Sequence, residues 1–146
     1  MRITKAGEYA IRCILYLSTK GKGALISKKE IAENCAIPPQ FLSKIAQDLA
    51  RARIIEIKQG PKGGIILTKD PKNISLLKVL EAITGEIFLN DCVARPESCE
   101  ASSICIMHNM WIKLRQKFRN SMDEINFAQL AKDPKHIPFP TLSKSQ

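Results

Sequence analysis

The 146-residue sequence has no apolar run near the roughly 20 residues that a helix needs to cross a bilayer. Histidine is scarce, with two residues, and no paired carboxylates or nucleophile motif stand out. The convergent acid–base groups of an enzyme are therefore missing, and no catalytic residues are assigned. The cysteine count is odd, at five, which argues against a disulfide framework. No C-x2–4-C pair occurs, so the usual spacing of structural zinc is absent too. No internal repeat is found. "AIRCILYL" near the start is apolar, but Arg12 interrupts it and no small-residue cleavage site follows. The expectation is a cytoplasmic protein that is neither enzyme nor membrane component.

Positive charge is plentiful and uneven. The net charge is +9. Residues 1–70 hold 13 Lys/Arg against 6 Asp/Glu, and residues 71–146 hold 10 against 8. The first half is thus the electropositive half. That asymmetry suits a polyanion such as nucleic acid, the plain alternative being a solvated basic surface.

The periodicities place elements. Ala6, Tyr9, Ala10, Cys13, Ile14 and Leu17 share one helical face over 5–19, with Thr4 as N-cap. "SKKE" (27–30) is a capping box: Ser27 accepts from the Glu30 N–H and Glu30 reaches back to the Ser27 N–H. A short helix follows to about Asn34, then a "CAIPP" turn and a helix to about Ala52 with Pro39 in its first turn. Leu42, Ile45, Ala46 and Leu49 form its inner face, and Gln40, Ser43, Lys44, Gln47 and Arg51 its outer one. Two short helices about a tight turn are a helix-turn-helix, the second being the candidate DNA reader. In "IIEIKQGPKGGIILTKD" two short strands flank "GPKGG", a hairpin that reads as a wing over about 54–68. Its basic tip, with Lys58, Gln59 and Lys62, suits a phosphate backbone or a minor groove. An ordinary surface hairpin is the plain alternative. The candidate DNA-binding set is Lys28, Gln40, Ser43, Lys44, Lys58, Gln59 and Lys62.

"SLLKVLEAITG" (75–85) is a short helix stopped by Gly85. After an irregular stretch, Met107, Met110, Trp111, Leu114, Phe118, Met122 and Ile125 recur at helical spacing. Such a stripe wants a covering surface, from a second copy or from its own domain. The fold class expected is mostly α with a small β-hairpin. A winged helix-turn-helix domain (1–84) precedes a cysteine loop (85–106), a dimerisation helix with a C-terminal helix (107–132), and a flexible tail (133–146).

Cys13 and Cys35 read as small buried hydrophobes. The remaining three, in "NDCVARPESCEASSICIMHNMW", follow C-x6-C-x5-C-x2-H. Pro96, Ser98, Ser102 and Ser103 keep this loop out of regular structure. Three clustered thiols point to an iron–sulfur cluster, to zinc or to a metal-free thiol switch. His108, one helical turn beyond Cys105, is the nearest fourth donor, a helix-surface histidine being the alternative.

"MRITKAGEYAIRCILYLS", "FLSKI", "GPKGGIILTKDPKNISLLKVLEAITG" and the three cysteines before "HNMW" fall in register with one known family. The chain resembles, over about residues 1–132, the Rrf-two winged-helix transcription regulators, in particular the iron–sulfur cluster type (IscR-like, NsrR-like). The resemblance implies homodimers paired through the long helix. It implies binding to palindromic promoter DNA, with RNA polymerase a further partner at target promoters. It implies a [2Fe–2S] or [4Fe–4S] cluster whose loss to iron shortage, oxidants or nitric oxide changes DNA affinity. Cys92, Cys99 and Cys105 match its ligand cysteines. His108 matches the histidine of the assembly regulators, and Glu8 the acidic ligand that the nitric-oxide sensors take from the other subunit. Gln59 stands where many members have Arg, and "PPQF" departs from the usual Ser, so no target sequence transfers. A zinc-binding or metal-free thiol-responsive repressor of the same family is the alternative.

Overall fold

The structure, a computed structural model, describes residues 2–133. Helix α1 spans Lys5–Lys20 and starts as its sequence dictates, the Thr4 hydroxyl accepting from the Gly7 N–H at 3.1 Å. Ala10, Cys13, Ile14 and Leu17 are its buried face. Helix α2 (Lys28–Cys35) is capped by Ser27, whose hydroxyl accepts from the Glu30 N–H at 3.1 Å. The expected return bond from Glu30 to Ser27 does not form. The Glu30 carboxylate instead accepts from the Tyr16 phenol at 2.7 Å, tying α2 to α1. Only half of the capping box is realised, because a partner outside the helix takes the carboxylate.

Helix α3 (Pro39–Arg51) buries Leu42, Ile45, Ala46 and Leu49. Strands β1 (Ile55–Lys58) and β2 (Gly64–Leu67) pair antiparallel, with Ile55 opposite Leu67 and Lys58 opposite Gly64. Ile26 extends this small sheet by exchanging backbone bonds with Ile65 at 3.0 and 2.8 Å. Thr68 falls just outside β2, and its hydroxyl donates to the Arg53 carbonyl at 2.7 Å. Helix α4 (Leu76–Thr84) begins at the Ser75 cap and ends at Gly85, whose φ of 76° needs a residue without Cβ.

The stretch expected to be irregular contains a short helix, α5 (Asp91–Ala94), capped by the Asn90 side chain, and a 3-10 turn at Pro96–Ser98. Asn90 supplies the cap and Pro96 starts the turn that segments of four and three residues need. Helix α6 (Ile106–Asp123) and helix α7 (Phe127–Lys132) close the described chain, the latter capped by Asn126. The break between them ends the apolar stripe short of Ile125, whose carbonyl accepts from the Leu76 N–H at 2.8 Å. Apart from Asp133, the expected tail lies outside the described residues.

Two clusters hold the fold. The larger centres on α1 and gathers Ile14, Leu17, Ile31, Leu42, Ile45, Leu49, Ile65, Leu67 and Phe127. Each such side chain stabilises the fold by about 2 kcal/mol through lost apolar surface. The smaller cluster, Leu77, Leu80, Ile87 and Met122, joins α4 to α6. Of the stripe on α6, Met122 alone is buried, while Met107, Met110, Leu114 and Phe118 are exposed. The stripe thus divides: Met122 packs on its own domain, Trp111 is half-buried, and Met107, Met110, Leu114 and Phe118 stay exposed among the described residues.

Candidate DNA interface and cysteine loop

Gln40, Ser43 and Lys44 lie on the outer side of α3, opposite the Leu42–Ile45–Leu49 face. Gln40 and Lys44 are exposed and Ser43 is half-buried. The spacing i, i+3, i+4 places all three on one face. Lys28 is half-buried at the first position of α2. Gln47 is exposed, and Arg51 pairs with Asp48 at 3.1 Å. Phe41, overlooked in the sequence, rests on Tyr9 with ring centroids 5.8 Å apart and fixes the start of α3 against α1.

Gln59 and Lys62 are exposed in the hairpin turn. Lys58 is exposed on β1, but its amine is bound to Glu56 at 2.6 Å, two residues back on the same strand face. That pair blunts the charge of Lys58 and leaves Lys62 as the unpaired cation of the tip. Gly63 closes the turn, its N–H donating to the Gly60 carbonyl at 2.9 Å.

Cys92 sits half-buried in α5, Cys99 is exposed after the 3-10 turn, and Cys105 is the half-buried residue that precedes α6. The loop's backbone bonds are short-range. The Cys99 N–H donates to the Pro96 carbonyl at 3.3 Å, and the Ser102 hydroxyl donates to the same carbonyl at 3.0 Å. Among the described residues no three Cys, His, Asp or Glu side chains stand together as a metal site. His108 lies in the first turn of α6, and its Nδ1 is buried with no hydrogen-bond partner. A buried imidazole nitrogen without a partner is costly. It is the one observation here that asks for a ligand, and its chemistry, with three thiols nearby in sequence, suits a soft metal or a cluster. Glu8 is exposed on α1 and paired with Lys5 at 3.3 Å.

Cys13 and Cys35 behave as expected of core residues. Both are fully buried, and burial raises both thiols well above the ordinary range, Cys35 to about 12. The Cys35 thiol donates to the Arg12 carbonyl at 3.6 Å. Burial desolvates the thiolate and so disfavours it, which leaves these two inert.

The sequence did not reveal the polar joint between α4 and α6. Arg115 donates to the Ile87 carbonyl at 2.7 Å and to Glu86 at 2.9 Å, and Arg119 pairs with Glu81. Their partners lie 28 to 38 residues away, beyond any local pattern.

The family profile of Rrf2, described as "Iron-dependent Transcriptional regulator", matches residues 3–133. The chain belongs to the Rrf2 family. The HTH-type transcriptional regulator IscR of Yersinia pseudotuberculosis is 25% identical over 130 residues, covering 89% of this chain and 79% of that protein. In fold, the chain matches CymR, the global cysteine regulator of B. subtilis, with a TM-score of 0.71 and 21% identity over 90% of this chain and 96% of that one. It also matches T. potens IscR, with a TM-score of 0.70 and 20% identity over 91% and 88%. Rrf2 regulators bind DNA and typically dimerise. The protein is thus a winged-helix, DNA-binding transcription regulator and not an enzyme. No helix among its described residues is long and apolar enough to cross a membrane.

Proposed function

We propose that this Rrf2 regulator is a homodimer that reads a palindromic promoter site and senses iron–sulfur cluster status, oxidants or nitric oxide through Cys92, Cys99 and Cys105. His108 is the fourth donor, and the carrying observation is its buried, partnerless Nδ1 one turn beyond Cys105. Glu8 of a second subunit is the alternative donor, since its carboxylate is exposed on α1. The group, [2Fe–2S] or [4Fe–4S], would supply a redox- and iron-sensitive crosslink between α5 and the start of α6. Gln40, Ser43 and Lys44 would face base edges and phosphates in the major groove, with Lys28 at the backbone. Lys62 and Gln59, with Lys58 partly neutralised by Glu56, would serve the wing. The second copy would cover Met107, Met110, Leu114 and Phe118, which are exposed in the single chain.

Anaerobic purification followed by iron and sulfide analysis tests this. A brown protein with visible charge-transfer absorption, altered by His108→Ala, is the expected result. Stoichiometric zinc without iron would sink the cluster assignment.

A second reading, a zinc-binding or metal-free thiol-responsive repressor, has its own support. The chain shares its fold with a regulator of cysteine. Iron-free protein whose promoter affinity responds to oxidant, with the response lost in Cys99→Ala, would favour it.

A further inference from the structure

Ile87 is fastened at three points. Its side chain is buried among Leu77, Leu80 and Met122. Its N–H donates to the Glu81 carboxylate at 3.1 Å, and its carbonyl accepts from Arg115 Nε at 2.7 Å. Arg115 does more than bond Ile87. The same guanidinium donates to Glu86 at 2.9 Å and lies 4.2 Å from the centroid of the Phe88 ring. One largely buried side chain of α6, 17% exposed, therefore holds three consecutive residues, 86 to 88. Arg119 backs it by pairing with Glu81.

Those three residues are the stem of the cysteine loop. Gly85 ends α4, and α5, which carries Cys92, begins at Asp91. The loop's other end is Cys105, continuous with α6. Arg115 lies ten residues beyond Cys105 on that helix, about 15 Å along its axis. Both ends of the loop are thus fixed to one rigid element, one by the chain itself and the other by a guanidinium.

We infer that Arg115 is a positioning residue. It sets the place from which α5 presents Cys92 toward the start of α6, and it ties any rearrangement of the loop to the helix that a second copy covers. This rests on the reading that Cys92, Cys99 and Cys105 act together. The geometry requires arginine rather than positive charge alone. Only a planar fork can bond a carbonyl and a carboxylate while its face lies on an aromatic ring. Lysine, whose three donors share one compact ammonium without a planar face, does not reproduce this arrangement.

The test uses the full, reduced, metal-free chain with Arg115→Ala and Arg115→Lys. Competitive iodoacetamide labelling followed by peptide mass spectrometry gives a rate for each thiol, and thermal melting monitors the fold. Releasing the stem should speed labelling of Cys92 about fivefold in both variants, with Cys99 staying within about twofold of wild type, because local opening exposes only the segment that was held. Should the Ala variant not fold, the Lys variant carries the same comparison. A wild-type Cys92 rate in the Lys variant would overturn the inference, since charge alone would then suffice. An unchanged rate in a folded Ala variant would overturn it as well. These rates are read without metal, so they separate the two ideas. Failure of the wild-type chain to take up iron would sink the cluster reading while leaving this one standing.

Discussion

Gly63→Ala tests whether the hairpin serves DNA binding, and the structure sets the size of the effect. A Cβ at Gly63 would lie 2.1 Å from the Lys58 carbonyl oxygen and 2.9 Å from both the Gln59 carbonyl carbon and the Gly60 oxygen. All three are backbone atoms, so no side chain can swing aside. Relief requires opening the turn that the Gly63 N–H closes on Gly60, and with it the Lys58–Gly64 pair. The inner half of the ladder survives, because Ile65 still exchanges bonds with Ile26. The loss is local: strain plus one or two hydrogen bonds, about 2–5 kcal/mol. The helical core should stay folded, and circular dichroism should show a lowered melting temperature with unchanged helix content. The effect on DNA is separate. Lys62 is the unpaired cation of this turn, and a lost phosphate contact lowers the slope of log K against log salt by about 0.9 per subunit, so about 1.8 per dimer. Fluorescence anisotropy on an arbitrary duplex across a salt series measures that slope. Lys62→Ala should reduce it alike, without the fall in melting temperature. Wild-type affinity and slope in a Gly63→Ala protein with a lowered melting temperature would refute the role given to the wing.

The five thiols should split into two classes, with Cys92, Cys99 and Cys105 alkylated in the native metal-free protein and Cys13 and Cys35 only after denaturation, as intact-mass spectrometry would show. With Cys35 raised from 9.0 to about 12, its thiolate population below pH 9 is lower by about a thousandfold. The same shift predicts alkaline lability. Unfolded chains release this proton near 9.0 while the folded protein holds it to about 12, so stability is full below pH 9 and falls as pH rises through that window. Urea titrations at pH 8 and pH 10.5 would show a lower midpoint at the higher pH, and equal midpoints would contradict it. Leu114→Lys with Phe118→Lys should convert dimer to monomer by size-exclusion chromatography with light scattering, while leaving melting of the monomer fold nearly unchanged, because both side chains are exposed in the single chain.

Much of the architecture could be read from short windows. Thr4 and Ser27 cap their helices because a hydroxyl three residues before a free N–H is a local arrangement. The apolar spacing in α1 and α3, the Gly85 stop and the "GPKGG" turn are equally local, and all appear in the structure. Readings failed where a side chain had a choice of partner. Glu30 turned from its own cap to Tyr16, 14 residues away. Arg115 and Arg119 bind Glu86 and Glu81, 29 and 38 residues away, which no short window shows. α5 was missed because four residues are too few for a helical period to register.

The sequence by itself determined the winged helix-turn-helix, the electropositive half and the three-cysteine loop, since propensity, capping and charge act over a few residues or by simple addition. Tertiary structure decided the rest. It left Nδ1 of His108 enclosed without a partner, and it left most of the α6 stripe uncovered. It also pinned Ile87 between Glu81 and Arg115. Each outcome depends on which distant surfaces meet, and burial and long-range pairing are set only once the helices have packed.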